Sequence, residues 1–281
     1  MRLYDPKTIR EVLSRNGFSF KKSLGQNFLI NPSVCPKMAE SAVENGEEAV
    51  IEIGPGIGVL TAELSKCAEN VLCIEIDERL RPVLSETLAD CDNVEVVFGD
   101  CMKLDIAEII EKRFKGKKVS VCANLPYYIT SPIIMMLLEK RLPITSITVM
   151  VQKEAADRIC AEVGSRESGA VTVAVNYYSR PEMLFKVSRG SFMPSPNVDS
   201  AVIRLSVLDK PPVKVKDEEG FFTFIKAAFG QRRKTLINSV GAAGRWTKDD
   251  VKGAVASSGL DESIRAEALS MQELADVFNA L

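Results

Sequence analysis

The chain contains no histidine among its 281 residues. Histidine is the commonest general base near neutral pH and the commonest side-chain metal ligand in proteins. Its absence excludes hydrolases that use a histidine to activate a serine or cysteine nucleophile. We therefore expect no metal site, and a reaction that proceeds without a histidine base.

Paired cysteine motifs are also missing. The seven cysteines are scattered through apolar surroundings, and no two of them form a Cys-x-x-Cys motif. An odd number of cysteines at such spacings argues against a disulfide framework or a zinc site. We expect free and mostly buried thiols.

Long hydrophobic runs are absent as well. No stretch approaches the roughly 18 consecutive apolar residues that a membrane span requires. The first residues, Met-Arg-Leu-Tyr-Asp-Pro, lack the apolar run of a signal peptide. We therefore expect a cytoplasmic protein that does not bind a membrane.

The net charge is only −2, but the charges are unevenly distributed. Residues 44–112 carry 17 acidic and 5 basic side chains, whereas residues 1–33 carry 2 acidic and 6 basic ones. Residues 226–248 carry 6 basic side chains and no acidic one. Basic segments of this kind favour binding to a polyanion, although solvated helix faces can show the same pattern.

Short apolar runs alternate with amphipathic stretches from residue 49 onward. The runs lie at 49–53, 71–76, 94–98, 119–123 and 147–151, and the helix-like stretches lie near 58–67, 78–90, 104–114 and 131–140. This alternation predicts a mostly parallel sheet with helices on both faces, the α/β fold class. Two later runs, 183–187 and 201–207, are compatible with a hairpin on that sheet. The segment 166–178 fits either a strand or a buried helix.

A Pro- and Lys-rich stretch at 209–216 predicts a domain boundary. We therefore expect a catalytic domain at 1–208, with a basic segment at 1–33, and a small all-helical domain at 209–281. The apparent helices of the second domain lie at 221–230, 231–240, 247–258 and 262–280.

A glycine-rich turn, Gly54-Pro55-Gly56-Ile57-Gly58, follows the first predicted strand. Glycines permit a tight strand-to-helix turn and the close approach of a ligand. Nicotinamide enzymes and S-adenosylmethionine enzymes both use such a turn, so the glycines alone do not discriminate between them. The spacing is G-x-G-x-G, however, which differs from the dinucleotide pattern G-x-G-x-x-G.

Polar side chains stand at the ends of four successive predicted strands. Glu52 precedes the glycines by two residues, and Glu75, Asp100 and Asn124 follow at the next three strand ends. Ligands of doubly wound sheets bind at the carboxyl ends of the strands. A pocket with three carboxylates repels a pyrophosphate but suits a cationic sulfonium and ammonium. Glu75 is placed to accept from ribose hydroxyls, and Asp100 from an adenine amino group.

The fourth strand leads into Asn124-Leu125-Pro126-Tyr127. The asparagine oxygen and a neighbouring backbone carbonyl can both accept from an exocyclic amino group, while the tyrosine ring can stack on a base. Such acceptors restore the nucleophilicity of an adenine N6, whose lone pair is delocalised into the ring. This chemistry requires no strong base.

Five blocks of this sequence resemble the KsgA-type ribosomal RNA adenine dimethyltransferases. In the order of that family they are KSLGQNFL at 22–29, EIGPGIG at 52–58, NLPY at 124–127, FMPSPNVDSAV at 192–202 and FGQRRKTL at 229–236. The resemblance implies a class I S-adenosylmethionine-dependent methyltransferase, a Rossmann-like fold with a mostly parallel seven-stranded sheet, a reversed last strand and a small helical domain.

The resemblance also implies roles for particular residues. The implied cofactor contacts are Asn27, Leu29, Gly54, Glu75, Asp100 and Asn124. The implied contacts to the target base are Asn124, Leu125, Pro126 and Tyr127, with Phe192 as a second aromatic wall. Tyr128 stands where many relatives have asparagine, and it receives no role.

The implied substrate is a pair of adjacent adenines near the 3′ end of small-subunit (16S) ribosomal RNA, each methylated twice within an assembling 30S particle. We expect a monomer. The same family includes large-subunit resistance methyltransferases and mitochondrial transcription proteins, but the blocks at 192–202 and 231–234 favour the small-subunit type. A ribosome-assembly factor with vestigial methylation and a nicotinamide oxidoreductase are the competing hypotheses.

Overall fold

The computed structural model of the chain describes residues 3–18, 28–43 and 49–281. The chain divides into two compact units. The first comprises Met1–Ala156 and Glu182–Val207, and the second comprises Asp157–Pro181 and Leu208–Leu281. The segment 157–181 thus groups with the C-terminal residues, whereas the sequence-based boundary at 208/209 placed it in the catalytic domain.

A seven-stranded sheet forms the centre of the first unit. Its strands are β2 (Ala49–Ile53), β3 (Asn70–Glu75), β4 (Val94–Phe98), β5 (Val119–Asn124), β6 (Ser146–Gln152), β7 (Ser179–Val187) and β9 (Ser200–Val207). Their order across the sheet is β4-β3-β2-β5-β6-β9-β7. A separate antiparallel pair joins β1 (Phe28–Leu29) to β8 (Phe192–Met193).

The strand directions confirm the expected topology. The pairs β2–β3, β2–β5, β3–β4 and β5–β6 are parallel, and β9 runs antiparallel to β6. β7 and β9 are neighbours in the sheet, as the two late apolar runs indicated. All five residues of β2 are buried, including Glu52, which explains why a mostly apolar run, and not strict alternation, marks this strand.

Helices connect these strands. Those that begin in the first unit are α1 (Pro6–Arg15), α2 (Val34–Ala42), α3 (Val59–Cys67), α4 (Arg81–Thr87), α5 (Ile106–Arg113), α6 (Tyr127–Glu139) and α7 (Lys153–Ile159). α6 begins four residues earlier than predicted and contains Pro132 in its interior. The Thr130 hydroxyl donates to the Pro126 carbonyl over 3.1 Å and holds this first turn.

One face of the sheet packs against the N-terminal helices. Val50, Cys73, Cys122 and Met150 point to this face and belong to a buried cluster that includes side chains of α1 to α4. Successive side chains of a strand alternate between the faces, so their neighbours Ile51 and Val121 face the opposite layer. This cluster is the hydrophobic core on one face of the sheet.

The second unit is helical. It contains α8 (Ala170–Tyr178), α9 (Glu218–Phe229), α10 (Leu236–Gly241), α11 (Lys248–Ser257) and α12 (Met271–Ala280). The ambiguous segment 166–178 therefore forms a helix over its second half. Tyr177 and Tyr178 donate hydrogen bonds to Glu218 at the start of α9 over 3.2 and 2.7 Å. The Tyr178 ring stacks on Phe222, so aromatic packing draws α8 into this unit.

Two of the C-terminal helices begin later than the sequence predicts. The predicted helix 231–240 begins only at Leu236, because Thr235 is its N-cap and accepts from the Asn238 N–H. The predicted helix 262–280 begins only at Met271, where Ser270 and Glu273 form a capping box. Each cap residue satisfies backbone N–H groups that would otherwise lack a partner, so the helix starts there.

The turn between β2 and α3 generates a stability prediction. Gly58 adopts φ +86°, and a Cβ at this position would lie 2.9 Å from Cδ2 of Leu88. Gly116 adopts φ +78° with no atom within 4 Å of such a Cβ. We expect Gly116→Ala to lower the free energy of unfolding by roughly 1–2 kcal/mol through the backbone alone. Gly58→Ala should cost about 2–4 kcal/mol, because Leu88 must also move.

Urea denaturation of both variants and the wild type measures these losses. Equal losses in the two variants would show that Leu88 yields without cost and that the backbone conformation alone demands glycine at position 58.

Candidate active site

The carboxyl ends of β2, β3, β4 and β5 border one cavity of about 320 Å³. Nine of the residues implied by the sequence line it: Leu29, Gly54, Glu75, Asp100, Asn124, Leu125, Pro126, Tyr127 and Phe192. Asn27, the remaining one, lies outside the described residues. The structure thus brings together groups that are spread over more than 160 positions of the chain.

The glycine turn and the turn after β5 touch at the base of the cavity. Gly54 adopts φ +73°, and a Cβ there would lie 3.6 Å from Cδ2 of Leu125. The Gly54 N–H donates to the Ile74 carbonyl over 2.9 Å, which ties the turn to β3. A positive φ favours glycine, and the missing side chain leaves room above the turn for a ligand.

Glu75 is the last residue of β3 and is buried. One carboxylate oxygen accepts from the Asp77 N–H over 2.8 Å and the other from the Gly56 N–H over 3.2 Å. Burial nevertheless raises the pKa of Glu75 above its usual value, and the two backbone hydrogen bonds oppose that rise. The bonds fix the carboxylate in one orientation while each oxygen keeps capacity for a further donor.

Glu52 is the most deeply buried carboxylate of the cavity, with only 1% of its surface exposed. In the register of the sheet it stands directly between Cys73 on β3 and Cys122 on β5. The Cys73 thiol donates to Glu52 over 3.6 Å. Burial raises the pKa of Glu52 to about 7, although hydrogen bonds from Thr61 and Cys73 lower it.

Asp77 is a further carboxylate of the cavity that the sequence analysis did not single out. It is buried, and it accepts from Nε of Arg79 over 2.8 Å. Its position two residues after Glu75, just beyond a strand end, was the signal available in the sequence. The ion pair balances this charge, so Asp77 contributes less negative potential to the cavity than Glu75 does.

The end of β4 contributes Asp100. Its carboxylate accepts from the Met102 N–H over 3.0 Å, and its side chain is 30% exposed. Met102 and Ile76 also line the cavity, and both are exposed. The predicted strand 71–76 ends at Glu75, so Ile76 stands outside the sheet with its side chain at the edge of the cavity.

The turn after β5 carries Asn124, the last residue of that strand. Within the ranges that the structure describes, its carboxamide has no hydrogen-bond partner. Tyr127, the first residue of α6, shares a 2.7 Å hydrogen bond between its hydroxyl and that of Ser200 on β9. This bond holds the Tyr127 ring at the cavity wall, while the Asn124 amide stays available to a ligand.

The opposite wall contains Phe192 and Leu29. They face each other in the register of β1 and β8, and both are buried. The Ile30 N–H donates to the Ser191 carbonyl over 2.8 Å and extends this pairing by one residue. Two segments more than 160 residues apart thus form one apolar wall.

The lining of the cavity is acidic, although its carboxylates do not all carry a full, unpaired charge: the pKa of Glu52 is raised to about 7, Asp77 is paired with Arg79, and Asp100 is paired with Lys103 over 3.8 Å. Glu52, Glu75, Asp77 and Asp100 line it, and no lysine or arginine is found among its lining residues within the described part of the chain. The described residues include no group of three or more His, Cys, Asp or Glu side chains arranged to hold a metal ion. The arrangement favours an organic cation beside a flat, hydrogen-bonding partner.

All seven cysteines are free, and Cys35, Cys73, Cys101 and Cys122 are buried. Burial raises the pKa of the Cys73 and Cys122 thiols well above the usual value. These thiols are therefore neutral neighbours of the cavity and not nucleophiles. No helix among the described residues is long and apolar enough to span a bilayer.

The chain matches the family described as "Ribosomal RNA adenine dimethylase" over residues 17–281. It is 46% identical over 280 residues to "Ribosomal RNA small subunit methyltransferase A" of Clostridioides difficile, covering 100% of this chain and 97% of that protein. It is 48% identical to the protein of the same name from Geobacillus thermodenitrificans, covering 98% and 96%.

Two solved structures are similar to the whole fold. A dimethyladenosine transferase from Plasmodium falciparum superimposes with a TM-score of 0.71 at 25% identity, covering 89% of this chain and 95% of the other. The 23S rRNA methyltransferase ErmE gives a TM-score of 0.69 at 27% identity, covering 91% and 99%.

The buried carboxyl of Glu52 generates a pH prediction. Its pKa is raised in the folded state from 4.5 to about 7, so the folded protein binds this proton more tightly than the unfolded chain does. The resulting stability is complete below pH 4.5 and is lost as the pH rises through 7, an effect on the order of 3 kcal/mol. We expect Glu52→Gln to flatten the decline in unfolding free energy between pH 5 and pH 8.

Glu69→Gln is the matched control. Glu69 is exposed, and the nearby Lys117 lowers the pKa of its carboxyl, so it titrates below this pH window. Urea unfolding of both variants at pH 5 and pH 8 gives the slopes. A Glu52→Gln protein whose slope equals that of the wild type would show that Glu52 is not protonated in the folded state near neutral pH.

Proposed function

The chain belongs to the ribosomal RNA adenine dimethylase family, and on that basis we propose that it dimethylates two adjacent adenines near the 3′ end of small-subunit ribosomal RNA. It is an S-adenosylmethionine-dependent methyltransferase with the class I fold, and it dimethylates adenine in ribosomal RNA.

The observation that carries the proposal is the composition of a single cavity. One half presents four carboxylates, with no lysine or arginine among its described lining residues, and the other half presents an amide, a backbone turn and the rings of Tyr127, Tyr128 and Phe192. S-adenosylmethionine supplies an electrophilic methyl group on a positively charged sulfonium. The residues fit this group, because buried carboxylates favour a bound cation over a phosphate-bearing dinucleotide.

The carboxylate half holds the cofactor. Glu75 accepts from the ribose hydroxyls with oxygens already oriented by the Asp77 and Gly56 N–H groups. Asp100 accepts from the adenine amino group at the end of β4. Gly54 and Leu29 provide close backbone and apolar contact, and Asn124 borders cofactor and target alike. Asn27 retains its proposed role by resemblance alone.

The other half binds the target adenine. The Asn124 amide oxygen, which has no other partner among the described residues, accepts one hydrogen of N6. The Leu125 carbonyl accepts the second hydrogen, because the Pro126 carbonyl already accepts from the Ile129 N–H and the Thr130 hydroxyl. The Tyr127 ring, held by Ser200, stacks on the base, and Phe192 provides the second wall.

These contacts activate a weak nucleophile without a base. Two acceptors favour a pyramidal N6 whose lone pair is localised, and this arrangement is strongest as the new N–C bond forms. The methylated ammonium is acidic, so its proton leaves to an acceptor or to water. The absence of histidine from the chain is consistent with this route.

The small-subunit substrate is supported by the degree of similarity. Identity reaches 44–48% with proteins named for the small subunit, against 27% with a 23S rRNA methyltransferase. We further propose an assembling 30S particle as substrate and a cytoplasmic monomer as the acting form. All proposed site residues belong to one chain, so a second copy is not required.

The helical unit supplies basic surface for the RNA phosphates. Arg232, Arg233 and Lys234 are consecutive and exposed. The Arg232 guanidinium donates to the Arg166 carbonyl over 2.7 Å within the same unit, so it has a structural partner. Arg233 and Lys234 are therefore the better candidates for phosphate contacts.

Incubation of the protein with unmodified small subunits and labelled S-adenosylmethionine tests the proposal. We expect mass mapping to find two adjacent N6,N6-dimethyladenines near the 3′ end. Methylation of large-subunit RNA alone would contradict the proposed substrate. Tight binding to small subunits without methyl transfer would favour an assembly factor.

We expect Asn124→Ala to depress turnover by about 10²-fold or more, because the lost contact acts mainly in the transition state. Cofactor affinity, measured by calorimetry, should change much less. Tyr127→Ala should weaken RNA capture, whereas Tyr127→Phe keeps the ring and loses only the bond to Ser200. A near-normal single-turnover rate for Asn124→Ala would contradict its proposed role.

Removal of two cations in the helical unit, Arg233→Ala with Lys234→Ala, should weaken binding to small subunits and reduce the slope of log affinity against log salt by about 1 to 2, because phosphate contacts release counterions. The matched control is Lys252→Ala, which removes a cation that is paired with Glu262. An unchanged salt slope in the double variant would identify the basic stretch as a solvated face.

A further inference from the structure

Exposed apolar side chains are concentrated at the mouth of the cavity. Among the described residues, the large exposed ones are Ile76, Met102, Tyr128 and Val198, and the first three of these line the cavity. Tyr128 is the largest of the three and is 65% exposed. Exposed apolar surface grouped at one site indicates a binding surface more strongly than scattered exposure does.

Tyr128 differs from the other tyrosines of the chain. The hydroxyl groups of Tyr4, Tyr127, Tyr177 and Tyr178 each form a hydrogen bond to a side chain. In the part of the chain that the structure describes, Tyr128 has neither a hydrogen bond nor a ring contact. A whole aromatic face is therefore available to a ligand.

The position of Tyr128 places this face on the target side of the cavity. It is the second residue of α6 and follows Tyr127 directly. Successive helical residues are rotated by about 100°, so the two rings cannot occupy the same place. The Tyr127 hydroxyl is bonded to Ser200, and the Tyr128 ring extends into solvent at the rim.

We propose that Tyr128 is a positioning residue that stacks on the nucleotide next to the target adenine. This inference rests on the proposed function. A base that enters the cavity must leave its stack, and its neighbour in the RNA then loses a stacking partner. An exposed tyrosine at the rim replaces that partner, and stacking on an aromatic ring is a common means of holding single-stranded nucleotides.

The electrostatics of the rim support contact with a base over contact with a phosphate. The ionisable side chains of the cavity are carboxylates, thiols and tyrosines, and no lysine or arginine is among the described lining residues. Negative charge at this site opposes the approach of phosphates. Uncharged surface therefore contributes to RNA affinity at the mouth, and Tyr128 is the largest exposed apolar side chain among the described lining residues.

Three variants separate the ring from the rest of the side chain. Tyr128→Phe keeps the aromatic face, Tyr128→Leu keeps apolar bulk without that face, and Tyr128→Ala removes both. We expect kcat/KM for unmodified small subunits to stay within about twofold for phenylalanine and to fall roughly tenfold or more for leucine and alanine. Cofactor affinity by calorimetry, and the midpoint of urea unfolding, should be unchanged in all three.

A change in the RNA substrate identifies the nucleotide on which the Tyr128 ring stacks. Small subunits are reconstituted with ribosomal RNA that carries one abasic nucleotide, either directly 5′ of the first target adenine or directly 3′ of the second, and methylation of the adjacent adenine is measured. With the wild-type protein, one of these substrates should lose as much kcat/KM as Tyr128→Ala loses on intact RNA. With Tyr128→Ala, that same abasic substitution should cause almost no further loss.

Three results would overturn the inference while leaving the proposed function intact. The first is full activity of Tyr128→Ala, and the second is a loss of cofactor affinity in this variant that matches its loss of rate. The third is that each abasic substitution lowers kcat/KM as much in Tyr128→Ala as in the wild-type protein. A wild-type protein that does not methylate intact small subunits would instead overturn the proposed function, and this inference with it.

Discussion

The hydrogen-bonded register of β3, β2 and β5 is the constraint on which the rest of the site depends. It sets Glu52 directly between Cys73 and Cys122, and it brings the ends of the three strands to one edge. Because parallel strands end at the same edge, Glu75 and Asn124 border the same cavity although they are far apart in the chain. The loops contribute side chains to one cavity because the sheet aligns the strand ends at which these loops begin.

Much of this arrangement could be predicted from the sequence. Mostly apolar runs, each with one glutamate, mark β2 and β4, so 49–53 and 94–98 were predicted with the bounds that the structure gives. The groups at strand ends could be assigned to one edge by topology. The predicted stretch 131–140 missed the first turn of α6, which begins at Tyr127 and contains Pro132 in its interior. Thr235 and Ser270 cap their helices because their backbone is extended and their hydroxyl groups accept from the N–H three residues later. The spacing of apolar residues does not reveal this geometry.

Other features of the site depend on contacts that no local pattern encodes. The raised pKa of Glu52 results from burial among side chains of α2, α3 and two neighbouring strands. The exposure of Ile76 follows from a strand that ends one residue earlier than its apolar run. The grouping of 157–181 with the C-terminal helices depends on the contacts of Tyr177 and Tyr178 with residues about 40 positions later.

The hydrogen bond between Tyr127 and Ser200 has a mechanical consequence. Ser200 begins β9, directly after Asp199, whose carboxylate accepts from the Arg189 N–H over 2.9 Å and closes the loop 189–199, which contains β8. The Tyr127 ring at the cavity wall is thus anchored to a strand from the far end of the unit's sequence, and not only to its own helix. A shift of that loop would be transmitted to the cavity wall through a single pair of hydroxyl groups.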